Sequence, residues 1–298
     1  MKRKLLYLFL LLTMAALLYW SQDVRAGVQE GISLCLQSAI PSLFPFFVVS
    51  SLLIDLGFAD ALGRRLEGLM QPLFHVGGAG AAALVLGVLG GYPVGAGTAA
   101  SLYSQQVLSR DEAQRLLAFC NNCSPAFAVN ILGLGVFGSG RIGLCLWLIH
   151  VLAALITGLF FRGKASERRS ARLRRVKKPL PFSEAFVKAA GSGARSMAGV
   201  CAFIILFSVL LLPLRRMSGE SGALLIGFTE LFNGAALLSA DRLGFLTAAG
   251  LLGWGGLSVH CQTLSVIPGL SSRYYWMGKS IQCVLSVLLA AAVSPLFF

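Results

Sequence analysis

Charged side chains are scarce in this sequence. Asp, Glu, Lys and Arg make up 12% of the 298 residues, hydrophobic residues make up 56%, and the mean hydropathy is +0.78. This composition excludes an ordinary water-soluble domain. Five stretches contain no charged residue and are close to the 20 or so residues that a helix needs to cross a hydrocarbon core. They are residues 5–20, 32–54, 142–161, 197–214 and 281–298. The sequence therefore predicts an all-α integral membrane protein.

Residues that typically carry catalysis or bind metals are also few. The chain has three histidines, and no H-E-x-x-H, G-x-S-x-G or phosphate-loop motif occurs. Its seven cysteines are odd in number and scattered, so no disulfide framework is indicated, and Cys120-x-x-Cys123 has no second pair. We therefore expect no enzymatic activity, no catalytic residue, no metal and no cofactor. An intramembrane hydrolase using Ser124 or Ser258 with His260 is a remote alternative, because no acid at a suitable spacing would orient the histidine.

Positive charge is present in excess and is concentrated in two places. The net charge is +13, and nine of the basic residues lie between positions 162 and 178 beside a single acid, Glu167. A second cluster, Lys2, Arg3 and Lys4, precedes the first apolar stretch. Short basic segments next to spans stay on the cytoplasmic side. We therefore predict that the N-terminus and the central basic loop are cytoplasmic and that nucleic acid is not a partner. Binding of the loop to anionic lipid is an alternative.

The first apolar stretch has a second interpretation. The basic N-terminus and the Val24-Arg25-Ala26 sequence resemble a secretory signal peptide and its cleavage site. The apolar run is long for a signal peptide, and Trp20 suits the membrane interface. An uncleaved span is therefore favoured.

The two sides of the basic loop can be matched to each other. Each side starts with a long apolar helix and continues through two glycine-broken segments to a closing apolar helix. The broken segments are residues 91–97 and 119–125 in the first half and residues 227–234 and 254–260 in the second. Since the first repeat begins outside and the second begins inside, the repeats are predicted to be inverted, with at least one re-entrant segment in each. The predicted units are a span and outer loop (1–30), a first repeat (31–162), the cytoplasmic basic loop (163–184) and a second repeat (185–298).

Broken segments that recur in both halves of a membrane protein indicate a transporter binding site. Ser124 and Pro125 have the pattern of a helix start, and Gly255, Gly256 and Ser258 suggest another. Two helix N-termini at the membrane midplane favour an anionic or strongly polar solute. Capping alone is the alternative interpretation of Ser124. The predicted solute-binding residues are Tyr92, Asn121, Asn122, Ser124, Asn233, Ser258, His260 and Gln262.

Glu230 is an acid within an otherwise apolar segment. Ionisable residues at membrane depth are costly and usually serve a solute or an ion. We predict that Glu230 couples transport to a proton or cation. Orienting Asn233, or accepting a hydrogen bond from a backbone amide that the broken helix frees, are its alternatives.

Several motifs carry a family resemblance. They are residues 90–95 (GGYPVG), 108–113 (LSRDEA), 119–122 (FCNN), 43–47 (LFPFF) and 256–262 (GLSVHCQ). Together they resemble the sporulation integral membrane protein family YlbJ, also called SpoVV, which belongs with the nucleoside recognition or Gate domain proteins. The resemblance covers nearly the whole chain, and Cys123 departs from the small residue expected there.

The resemblance implies a fold similar to that of concentrative nucleoside transporters. It also implies transport of a small anion, dipicolinate, across the outer forespore membrane of a sporulating bacterium. The alternatives are a scaffold for spore assembly that transports nothing, or a transporter of a nucleoside or another small solute. The expected partners are the anionic solute, a coupling proton or cation and the lipid bilayer, and an oligomer is compatible with the sequence. Localisation in the bacterial cell membrane remains the alternative to the forespore membrane.

Overall fold

The computed structural model describes residues 2–163, 180–212 and 219–298, and every regular element in these ranges is helical. Two π-helical stretches, Cys35–Ala39 and Phe127–Val136, and a short 3₁₀ helix, Ser294–Leu296, supplement the α-helices. The α-helices are α1 (Lys2–Tyr19), α2 (Ser21–Leu34), α3 (Ile40–Asp55), α4 (Phe58–Phe74), α5 (Gly80–Gly90), α6 (Val94–Ser104), α7 (Arg110–Leu116), α8 (Gly140–Phe160), α9 (Phe182–Leu210), α10 (Gly219–Thr229), α11 (Leu231–Ala235), α12 (Arg242–Trp254), α13 (Gly256–Val266) and α14 (Arg273–Val293).

Five helical stretches in the described ranges are long and apolar enough to cross a membrane: Ser21–Asp55, Gly140–Phe160, Phe182–Leu210, Arg242–Val266 and Arg273–Leu296. The prediction of an all-α integral membrane protein is confirmed. Four of the stretches overlap predicted spans, while Arg242–Val266 is added because its two helices meet end to end at Gly255. The predicted first span, residues 5–20, forms α1, whose side chains are mostly exposed.

Two helices begin well before the apolar stretches that predicted them. α9 begins at Phe182, 15 positions before Met197, because Ala- and Ser-rich sequence continues the helix. α14 begins at Arg273, eight positions before Ile281. A search for uncharged stretches places the start of a span after the last charged residue. A helix with one buried face can begin earlier, because its exposed face can carry charged residues.

The helices break where glycine, proline and polar residues predicted. Gly91, with φ +82°, separates α5 from α6, and Gly255 and Gly256, with φ +95° and +84°, separate α12 from α13. Glu230 has an extended backbone between α10 and α11. The segment 121–124 is irregular before the helical turn that leads into the π-helix. The breaks are confirmed, whereas the inversion of the two halves and its likeness to nucleoside transporters remain predictions.

The broken segments lie inside the bundle. α3 packs along α9, α14 packs against α8 and α12, and α5 pairs with α6. Backbones approach closely around residues 118–120: a Cβ added at Gly87 or Gly95 would overlap the carbonyl oxygen of Cys120, and one at Gly278 would overlap that of Ala118. Small residues allow such close packing of membrane helices. They fix the position of the segment that follows, residues 121–124.

The predicted basic loop falls mainly on residues 164–179, which lie outside the described residues. Its cytoplasmic location therefore stays a prediction. At its start, Gly163 lies close to His75, with its carbonyl oxygen hydrogen bonded to Nδ1. At its end, Leu180 donates its backbone N–H to the carbonyl of Asp55 at 3.2 Å. The loop therefore connects two points that the bundle holds in place.

Candidate functional site

The breaks surround a small cavity in the middle of the bundle, called here the central cavity. Four predicted site residues line it: Tyr92, Ser124 and Glu230 from three broken segments, and Gln262 from α13, just after the fourth. Apolar side chains of α3, α9 and the neighbouring turns complete its wall. Its free volume is about 20 Å³, which is about the space of one water molecule. The fold thus brings these four of the predicted site residues together around a closed cavity.

Ser124 caps the helical segment that begins at Pro125. Its Oγ accepts a hydrogen bond from the backbone N–H of Phe127 at 3.3 Å, which is the arrangement of an N-cap. Ser124 is buried and lines the central cavity. Capping and lining are therefore compatible roles of the same side chain.

Asn121 and Asn122 are buried but do not line the central cavity. The Asn121 amide donates to Thr263 Oγ1 at 2.8 Å. Asn122 donates to the carbonyl of Phe119 at 2.8 Å, and its oxygen accepts from Gln282 at 2.9 Å. In this closed form both side chains tie residues 121–124 to the adjoining helices.

Glu230 and Asn233 form a second capped turn. Glu230 Oε2 accepts hydrogen bonds from the Asn233 backbone N–H at 2.7 Å and from its side-chain amide at 2.8 Å. The same amide lies 3.3 Å from Ser208 Oγ. Two of the roles predicted for Glu230, partner of a freed backbone amide and orienter of Asn233, are confirmed. Ion coupling remains a prediction.

The predicted residues of α13 face two directions. Gln262 reaches the central cavity and donates to Ser258 Oγ at 3.3 Å. His260 points elsewhere: its Nδ1 lies 2.6 Å from the Tyr275 hydroxyl, and its ring lies 4.4 Å from those of Trp254 and Trp276. His260 therefore belongs to an aromatic cluster and does not line the cavity.

Lys279 and Gln282 of α14 were missed by sequence reasoning. Both are fully buried, and Lys279 Nζ lies 2.9 Å from Gln282 Oε1 and 3.2 Å from the carbonyl oxygen of Asn121. Its ammonium also lies 5.1 Å from the centre of the Tyr92 ring. The available signal was the spacing of three or four residues along one helix face. The buried positions of α14 are Tyr275, Gly278, Lys279, Gln282, Ser286 and Ala290.

His150 has a role beyond packing. Its Nε2 accepts a hydrogen bond from the backbone N–H of Cys123 at 3.0 Å. Because Nε2 is the acceptor, the neutral ring carries its proton on Nδ1. His150 thus satisfies a backbone donor of the irregular segment 121–124 inside the bundle, where both His150 and Cys123 are buried.

Two larger cavities lie on either side of the central cavity. One, of about 260 Å³, is lined by Leu34 of α2, Leu211 after α9 and Asn233. The other, of about 160 Å³, is lined by Phe47 of α3, Ser196 of α9 and further hydroxyl side chains. Between them, Leu43 and Val200 line the central cavity. The three cavities therefore lie along the helical stretch Ser21–Asp55 on one side and α9 with the residue after it on the other. Ser196 and Leu211 are about 22 Å apart along the helix axis.

No group of three or more His, Cys, Asp or Glu residues that could hold a metal occurs in the ranges that the structure describes. All seven cysteines are free thiols. The polar lining residues of the central cavity carry two hydroxyls (Tyr92 and Ser124), a carboxylate (Glu230) and an amide (Gln262). These groups can bind a polar solute or a small cation by hydrogen bonding and charge.

Comparison with known proteins shows similarity to one protein family and to one sporulation protein. Residues 36–140 match the Gate family, described as nucleoside recognition. The sporulation integral membrane protein YlbJ of Bacillus subtilis (strain 168) is 29% identical over 321 aligned positions, which cover 93% of this chain and 78% of that protein. No solved structure matches. The resemblance stated from the motifs is confirmed: residues 36–140 of this integral membrane protein match the Gate family model, and the chain is similar to YlbJ over 93% of its length.

Proposed function

We propose that this protein transports a small anionic solute, with dipicolinate as the candidate and the outer forespore membrane as its location. The observation that carries the proposal is the row of three cavities along the helical stretch Ser21–Asp55 and α9. Two are large enough for a small organic molecule, and the narrow one between them is lined by Tyr92, Ser124 and Glu230 of three helix breaks and by Gln262 next to the fourth. The sporulation name of the B. subtilis relative supports the cellular setting.

The local electrostatics favour an anion at the central cavity. The helical segment that starts at Pro125 and helix α13, which starts at Gly256, both place residues of their first turns on its wall. Free N–H groups and the helix dipole make such ends attractive to carboxylates. The closed cavity must widen for a ring-sized solute, because its volume is that of about one water molecule.

Glu230 gives a physical reason for coupling. A carboxylate on the wall of the central cavity repels an anionic solute unless a proton or a cation neutralises it. Entry of the anion and binding of the proton or cation then favour each other, which is the requirement for co-transport. Asn233, whose amide and backbone N–H donate to Glu230, also lines the 260 Å³ cavity.

Uptake of labelled dipicolinate into proteoliposomes tests the proposal. Gln262→Leu removes an amide from the central cavity at nearly constant volume, and we expect uptake to fall about tenfold, the effect of one lost hydrogen bond to a charged group. Gln37→Leu is the matched control. Gln37 also donates to a serine four positions earlier, Ser33, but on an exposed surface. Equal uptake by the two variants would refute the site.

A wild-type protein that inserts in the membrane but moves no dipicolinate would refute the transport proposal. Uptake of nucleosides by the same proteoliposomes would then identify the other solute class. Transport of neither solute would favour the scaffold alternative, which requires no cavity.

A further inference from the structure

A lysine is enclosed at the centre of this membrane protein. Lys279 is 1% exposed, and its ammonium contacts three uncharged groups: the Asn121 carbonyl oxygen, the Gln282 side-chain oxygen and the Tyr92 ring. The ion pairs in the described part of the chain are Arg115 with Asp111 and Lys188 with Asp55, so no described carboxylate lies within ion-pair distance of Lys279. The lysine amine is therefore buried among uncharged partners.

Structural support alone does not explain a lysine at this position. A neutral donor could make the same hydrogen bonds to Asn121 and Gln282 without the large cost of burying a charge. Ionisable residues at membrane depth generally face a solute or ion path and have a charged partner there. The protein itself supplies no such partner among the residues described, which leaves the solute.

The position of Lys279 relative to the central cavity supports this assignment. Lys279 Nζ lies over one face of the Tyr92 ring, and Tyr92 also lines the cavity. The Asn121 carbonyl, which accepts from Lys279, begins the short segment that ends at Ser124 on the cavity wall. The Lys279 side chain is thus separated from the cavity by the Tyr92 ring and the irregular segment 121–124. Through this packed layer, the attraction between a protonated Lys279 and an anion in the cavity is only weakly screened.

We propose that Lys279 supplies the positive charge that makes the central cavity selective for a carboxylate-bearing anion. This inference rests on the proposed function, since it assigns solute selectivity to the proposed transport site. Lys279 acts on the solute from behind Tyr92, and the tight packing of Gly278 on the Ala118 backbone keeps the start of α14 in place.

Binding measurements on the purified full-length protein test this directly. The probes are pyridine-2,6-dicarboxylate and its uncharged diamide, which share a ring and differ in charge, and the readout is the ligand-induced rise in thermal unfolding temperature. We expect the wild type to prefer the dicarboxylate. We expect Lys279→Gln and Lys279→Met to lose about tenfold or more of this preference, as when one member of a buried charge pair is removed. Lys279→Arg should retain it.

Arg273→Gln is the matched control, because it removes a positive charge from an exposed position at the start of the same helix. A structural role for Lys279 would lower the unfolding temperature without changing the ratio of the two affinities. An unchanged ratio in whichever of the Gln and Met variants folds would overturn the inference. So would a wild type that does not distinguish the two probes, a result that needs no variant. Selective binding without uptake in proteoliposomes would refute transport while supporting the role of Lys279.

Discussion

Glu230 Oε2 accepts two hydrogen bonds from Asn233, one from the backbone N–H at 2.7 Å and one from the side-chain amide at 2.8 Å. A glutamine at position 230 can accept both bonds with its single oxygen, whereas an alanine can accept neither. The structural role and the charge of Glu230 can therefore be separated by substitution.

Glu230→Gln should unfold close to the wild-type temperature but lose the dependence of uptake on a proton or cation gradient. Glu230→Ala should lose that dependence and also about 1 kcal/mol of stability, the usual value of a helix cap. Thermal unfolding and uptake with and without gradients measure the two effects. Glu184→Gln, an exposed acid on α9, should change neither. Retention of gradient dependence in Glu230→Gln would exclude ion coupling at this residue.

Gly87→Ala should be strongly destabilising. Its methyl group would overlap the Cys120 carbonyl oxygen, and overpacking of this kind costs about 1–3 kcal/mol. Gly199→Ala is the control, because nothing lies near its added methyl and alanine favours a helix over glycine by up to about 1 kcal/mol. Thermal unfolding in detergent should shift in opposite directions for the two variants. Similar shifts would show that α5 and the Cys120 backbone pack less closely than the structure indicates.

His150→Ala should loosen residues 121–124, because the Cys123 N–H loses its acceptor. Cys123 is fully buried, while Cys145 is partly exposed on α8, so the ratio of their alkylation rates reports local opening. Mass spectrometry after treatment with a membrane-permeant thiol reagent should show an increased ratio for Cys123. An unchanged ratio would mean that other contacts suffice to hold the segment.

Ser124→Ala should lower stability by about 0.5–1 kcal/mol through loss of the cap on Phe127. Ser124→Thr keeps the hydroxyl, but the close approach of Gly91 to Ser124 Cβ leaves little room for another methyl. We therefore expect Thr to restore the cap only in part. Chemical or thermal unfolding of the two variants would measure this order, and full recovery with Thr would show that the Gly91 backbone can move away.

The helix breaks were predictable because they are marked by residues with local conformational preferences. Gly91, Gly255 and the Ser124-Pro125 pair each carry a conformational preference that is visible within a few residues, and Glu230 was conspicuous as an acid in apolar sequence. Lys279 was not, because it precedes an apolar run and resembled a charge flanking a span. Its burial depends on contacts with Tyr92 and Asn121, more than 150 positions away.

The same limit applies to the orientation of the site. Sequence spacing indicated that His260 and Gln262 point differently, but not which of them faces the cavity. The hydrogen bond between His150 and Cys123 spans 27 positions, and no local pattern encodes it. Element types and breaks are written locally, whereas the partners of buried polar groups depend on how the helices pack.

The narrowness of the central cavity between two larger ones has an electrical consequence. If water enters both outer cavities, the membrane potential falls mainly across the short closed region between them and not over the full bilayer. A charge that moves past Glu230 then experiences nearly the whole potential, about 2.3 kcal/mol per elementary charge for each 100 mV. The net charge carried past this region in each cycle will therefore decide whether voltage drives or opposes the protein.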